Sequence, residues 1–169
     1  MARDISSDVA DAERDRRDGG FGNDILVGFP ARLNRIHGII LHDLDVPLTF
    51  RQYRTISRVA SGYTSMSELA ARANLTMAAV SEGVYALVKR GLLKAAPGVE
   101  DRRTVVLEAT PAGVAAVKAG TEALERFWAF LLRDTETEER DALYSTLERL
   151  YWRATEFYDS GSSGSTLQR

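Results

Sequence analysis

The sequence has no cysteine. That removes disulfide scaffolds, thiolate zinc sites and cysteine redox sensing together. It has only two histidines, His37 and His42. Their spacing misses the i, i+4 arrangement that sets two imidazoles on one helical face, so no metal is expected. No apolar run approaches the roughly 18 residues needed to span a bilayer. The opening stretch, MARDISSDVADAERDRRDGG, alternates charges without the apolar centre of a signal peptide. The chain therefore reads as soluble and cytoplasmic, with no membrane partner. A glycine-rich phosphate loop, a nucleophile elbow and a carboxylate pair in an apolar setting are all missing too. No enzyme and no cofactor are expected.

What is present is an ordinary globular composition, 44% hydrophobic and 27% charged over 169 residues. That length suits one domain, or a domain with an appended element, and buries a real core. The net charge of −2 argues against a nucleic-acid partner until its distribution is considered. From Arg51 to Arg103 there are nine lysines and arginines against four acids, a surplus of five, so the flanks hold a net −7. A basic centre between acidic flanks is an electrostatic footprint for an anionic partner.

Residues 1–20 and the Ser/Gly-rich tail 159–169 read as disordered. From Asp24 to Leu44, Leu33, Ile36, Ile40 and Leu44 recur at helical spacing, and the helix stops before Pro47. A second helix runs from Leu48 to Val59 and starts through Thr49. Ser65 followed by Glu68 is a capping box that starts a short helix at Met66, ending near Asn74. Thr76 caps the next helix, whose Val80, Val84 and Leu87 lie at i, i+4 and i+7, and Gly91 stops it. A short helix, a tight turn and a longer helix with one apolar stripe form a helix-turn-helix pattern, and a plain helical hairpin would look similar. Strands over Leu92–Ala96 and Thr104–Leu107 flank a charged turn, making a wing. Thr110 with Pro111 at the first helical position opens a long helix to about Arg133. A last amphipathic helix carries Leu143, Leu147 and Leu150 on one face.

Four segments, LTFRQYRTI, SELAARANLTMAAVSEGVYALVKRGLL, EDRRTVVLEATPAG and ETEERDALYSTLERL, together resemble the MarR family of winged helix-turn-helix transcriptional regulators. The most specific element is the Asp-Arg-Arg wing followed by a strand and Thr-Pro-x-Gly. The resemblance covers about two-thirds of the chain. It implies a mainly α fold with a small antiparallel β-wing, in which residues 47–110 form the DNA-binding domain. Helices within 21–46 and 111–158 would form a dimerisation domain. It also implies a homodimer on palindromic double-stranded DNA, a repressor role, and release by a small aromatic or lipophilic effector.

A helix set in the major groove reads base edges with its exposed N-terminal positions, here Thr76, Ala78, Ala79, Ser81, Glu82 and Tyr85. Lys89 and Arg90 lie further along, where they would reach phosphates. In the wing, the family pattern makes Asp101 a brace that orients Arg103 into the minor groove, with Arg102 on the backbone. Glu82 is an anomaly, since an acid repels phosphates. It either accepts a hydrogen bond from a cytosine amino group or pairs with Arg90 or another neighbour.

His37, Arg54, Arg58 and Trp128 would suit an aromatic or lipophilic carboxylate, with arginine for the acid and rings for the body. They fit equally as a satisfied core histidine, solvated or dimer-paired arginines, and interface core. A winged-helix protein-interaction module without sequence-specific DNA binding is the alternative function.

Overall fold

The computed structural model describes residues 24–98 and 105–159. The expected disordered segment 1–20 and wing residues Asp101, Arg102 and Arg103 lie outside the described residues, as does the tail beyond Asp159. Six α-helices and one two-stranded sheet follow in order: α1 (Phe29–His42), α2 (Phe50–Ala60), α3 (Met66–Ala73), α4 (Met77–Lys89), β1 (Leu93–Pro97), β2 (Val105–Ala109), α5 (Pro111–Leu131) and α6 (Thr137–Asp159). Two compact units divide within α5, one ending at Leu124 and the other beginning at Glu125. No described helix is long and apolar enough to cross a membrane.

The ends of the elements follow their capping chemistry. The first helix begins later than its apolar spacing suggests. Asp24–Gly28 forms a π-turn, and α-helical bonding starts at Phe29 with Pro30 in the first turn, where a missing donor is harmless. The second helix starts at Phe50 rather than Leu48, because the Thr49 hydroxyl accepts from the Gln52 backbone while the Gln52 side chain accepts from Thr49. Ser65 and Glu68 repeat the arrangement at α3. These bonds hold the Glu68 carboxyl below its usual range.

Both helices of the helix-turn-helix end in Schellman motifs. At the α3 end, Asn74 sits at φ 49° while Leu75 N–H donates to the Ala70 carbonyl and Asn74 N–H to that of Ala71. At the α4 end, Gly91 takes φ 71°, with Leu92 N–H on the Leu87 carbonyl and Gly91 N–H on that of Val88. These turns set the angle between α3 and α4 and aim the chain into β1.

The core of the first unit gathers around the wing root. Val80, Val84 and Leu87 of α4 pack with Ile56 of α2, Leu69 of α3 and Leu93 and Leu107 of the strands, all buried. In α1 the fully buried residue is Leu41. Leu33, Ile36 and Ile40, the expected stripe, are only half-covered and Ile39 is exposed. The strands pair antiparallel, with Leu93 opposite Ala109 and Pro97 opposite Val105. They are one residue later than expected at Leu93 and two residues longer at Ala109. The segment before α3 extends the sheet: Leu107 N–H donates to the Thr64 carbonyl at 2.8 Å, and Ser65 bridges Val106.

Thr110 secures α5 to this corner. Its hydroxyl donates to the Gly91 carbonyl at 2.7 Å and accepts from Gly113 N–H at 3.0 Å, and its own N–H donates to the Leu92 carbonyl. Further along, Tyr53 and Thr121 share a hydroxyl hydrogen bond at 2.9 Å. In the second unit, α6 leaves Tyr144, Leu147, Leu150, Tyr151 and Trp152 exposed.

Candidate nucleic-acid interface

Helix α4 has two distinct sides. Val80, Val84 and Leu87 are buried, while Ala78, Ser81, Glu82, Tyr85 and Lys89 are exposed on the opposite face. These exposed positions recur at intervals of three and four, so they share one face of the helix. Tyr85 is 70% exposed although a tyrosine ring buries well. The Thr76 hydroxyl accepts from Ala79 N–H at 3.3 Å and so serves as the N-cap at the start of this face.

Two expected site residues of this helix have further contacts inside the unit. Ala79 was expected among the base-reading positions. It is half-buried and turned inward, lining a narrow cavity of ≈ 40 Å³ between α2, α3 and α4 with Val80 and Gly83. Met77 takes an outward place and is 52% exposed. Sequence pattern could not separate the two, since Met77 falls in register with the buried stripe at i+3 and i+7.

Arg90 is the second such residue. It was expected at a phosphate or paired with Glu82. Its guanidinium instead donates to the Gln52 side-chain oxygen at 3.1 Å and to the Pro47 carbonyl at 2.6 Å. The residue that ends α4 thereby ties it to the start of α2 and to the α1–α2 connection. Gln52 Oε1 accepts from both Thr49 N–H and Arg90, so the cap of α2 and the latch share one acceptor. Truncating Arg90 to alanine should cost about 1 kcal/mol of stability in denaturant titrations, since a charge-assisted bond is partly replaced by water. Arg90→Lys should not restore it, because an ammonium lacks the planar fork that reaches two acceptors. The salt slope of any DNA binding should stay unchanged in both variants.

With Arg90 engaged, Glu82 has no hydrogen bond or ion pair among the described residues. It stands mid-face, one turn from Ala78 and one from Tyr85. Arg51 at the start of α2 and Lys94 on β1 are exposed cations of the same unit.

Of the four candidate effector residues, His37, Arg54 and Arg58 belong to the first unit. His37 packs on Phe50 at 5.6 Å between centroids, and the Arg54 guanidinium lies over the same ring at 5.8 Å. Phe50 stacks in turn on Tyr53. Burial lowers the His37 pKa from the usual histidine value, favouring the neutral ring. Arg58 engages α3 instead: its guanidinium donates to the Arg72 carbonyl at 3.1 Å, bracing the last turn of that helix. Trp128 belongs to the second unit. There it lines a groove of ≈ 400 Å³ between the end of α5 and α6, with Leu132, Leu143 and Leu147, between Glu125 and Arg140.

No protein-family model and no curated protein sequence matches the chain. Solved structures do. FabT of Streptococcus pneumoniae, crystallised in complex with DNA, is 17% identical, covers 80% of this chain and 96% of its own, and superposes with a TM-score of 0.70. The transcriptional regulator BldR of Sulfolobus solfataricus is 22% identical over 90% of this chain and 99% of its own, at 0.62. The reduced form of MarR from E. coli is 19% identical over 73% and 95%, also at 0.62. At these identities the likeness establishes architecture. The chain has the winged helix-turn-helix fold of the MarR-type transcriptional regulators.

Proposed function

We propose that this chain is a MarR-family transcriptional regulator, a cytoplasmic repressor that binds palindromic double-stranded DNA as a homodimer and is released by a small aromatic or lipophilic ligand. It has no enzymatic role in this reading. The observation that carries it is the α3–turn–α4 unit, whose exposed face runs beside an antiparallel wing rooted in the same core. A helix with its base-reading side free and its opposite side fixed is what major-groove docking requires. FabT, of the same fold, was crystallised on DNA, which supports the partner.

Dimerisation is supported by the second unit. Leu150 and Trp152 are 55% and 58% exposed in a single chain, and Tyr144, Leu147 and Tyr151 adjoin them on the same helix. Exposed apolar area of this kind marks an interface, and a two-fold partner bringing the same surface would cover both copies. Light scattering at micromolar concentration should give twice the chain mass, and footprints should show symmetric half-sites about one helical turn apart. A stable monomer would overturn the dimer.

The effector reading rests on the His37–Phe50–Arg54 cluster, where a cation and rings adjoin. An aromatic carboxylate bound there should raise the melting temperature and weaken DNA binding together, because linkage is reciprocal. Neutral apolar compounds shifting the melting temperature while the acids do not would remove the carboxylate from the account.

A second reading is favoured by one observation, the exposed acid Glu82 on α4. A winged module that docks on a protein needs no cationic face. It predicts no salt-dependent DNA binding at all.

A further inference from the structure

The exposed face of α4 is unusual in what it offers a base. Its outward side chains from Met77 to Tyr85 are Met77, Ala78, Ser81, Glu82 and Tyr85. None is an arginine, lysine, asparagine or glutamine. The side chains that read guanine through O6 and N7, or adenine through N6 and N7, are therefore missing from this face. The single charged group is Glu82, an acceptor without a proton to donate. Arg90, the internal partner the sequence suggested, is bound to Gln52 and Pro47.

We propose that Glu82 is the specificity-determining residue of α4 and that it accepts a hydrogen bond from the N4 amino group of cytosine in the major groove. This inference rests on the DNA-binding reading above. Cytosine is the base whose major-groove edge suits a carboxylate: its own edge shows the N4 amino donor and a C5–H, with no acceptor of its own. Adenine also offers an amino group, but its N7 lone pair lies next to it and repels a carboxylate. Guanine and thymine present only acceptors. An acid in the groove is otherwise costly, since it faces phosphates without a cation of its own, so it is tolerated where it finds that donor. Ala78 and Met77, apolar and one turn or more towards the N-terminus, then suit the C5 methyl of a neighbouring thymine. The half-site is pyrimidine-reading on the strand that faces α4.

The test is selection from a duplex DNA library with a randomised core, using the full chain and two variants, Glu82→Gln and Glu82→Ala. Glu82 is exposed and makes no described bond, so both variants should melt with the parent. The parent should enrich sequences holding a C·G pair at one fixed position of each half-site. Replacing that pair should weaken binding at least about fivefold. Glu82→Gln should move the preference at that position to A·T, because an amide both donates to N7 and accepts from N6. Glu82→Ala should erase it there and leave the other positions alone. If Glu82→Gln instead binds every duplex more tightly with the parent's motif, Glu82 merely repels phosphate and the proposal fails while DNA binding stands. If the parent enriches no sequence, the DNA-binding reading fails and this inference falls with it.

Discussion

Replacing Gly113 by alanine is expected to destabilise the fold by about 2–4 kcal/mol, the upper end of what overpacking costs. A Cβ at Gly113 would collide with the carbonyl oxygen of Leu92 and touch Cγ2 of Ile56 at 3.4 Å. The obstacle is backbone, and that backbone is held from several sides. The Leu92 carbonyl accepts from Thr110 N–H, Leu92 N–H closes the Schellman motif of α4, and the Thr110 hydroxyl bridges Gly91 and Gly113. No rotamer change relieves the clash. α5 would have to lift from the corner where α4 meets β1.

Gly120, two turns further along the same face of α5, is the internal control. A Cβ there meets the tip of Leu41 at 2.8 Å and the Tyr53 ring at 3.0 Å, which are side chains that can turn. Gly120→Ala should therefore cost less, about 1 kcal/mol, partly offset by the better helix propensity of alanine. Urea unfolding of both variants checks the ranking. Equal stability for Gly113→Ala and the parent would contradict the packing of α5 on the α4–β1 corner.

The second large effect concerns the wing. Arg103→Ala is expected to weaken DNA binding by about 1–3 kcal/mol, whereas Arg102→Ala should chiefly reduce the salt slope by about one. A guanidinium in a narrow minor groove gains from concentrated negative potential, while one on the backbone stays hydrated. The described strands on either side of residues 99–104 pair at their ends, Pro97 opposite Val105, and β2 is anchored through Leu107 to Thr64.

Asp101→Ala gives the sharper discrimination. Charge alone predicts tighter binding when an acid near phosphates is removed. A brace predicts weaker binding, because a freed arginine must be ordered again at a cost of up to about 2 kcal/mol. Titrations at two salt concentrations separate these, with the melting temperature expected to stay nearly constant. Tighter binding at both would make Asp101 a simple solvated turn residue.

Local chemistry was the readable part of this chain. Thr49, Ser65, Thr76 and Thr110 cap helices as expected, Ser65 with Glu68 and Thr110 before Pro111, and Asn74 and Gly91 take the left-handed geometry their positions require. These signals lie within five residues of their effect. Partners distant in sequence were not readable. Nothing near Arg90 announces its bond to Gln52, 38 residues away. The Arg58 bond to the Arg72 carbonyl is a like case, its acceptor lying on another helix. Leu41 escaped because α1 has apolar residues on more than one side, and helical period alone does not say which side the core covers.

The central claim is that α4 and the wing hold duplex DNA, and binding affinity as a function of salt tests it most directly. A duplex recovered by selection should be bound with log K falling linearly in log salt. For on the order of six phosphate contacts per dimer, affinity should drop about a thousandfold between 50 and 200 mM. Binding that is absent at low salt, or equally tight at both concentrations, would contradict the account.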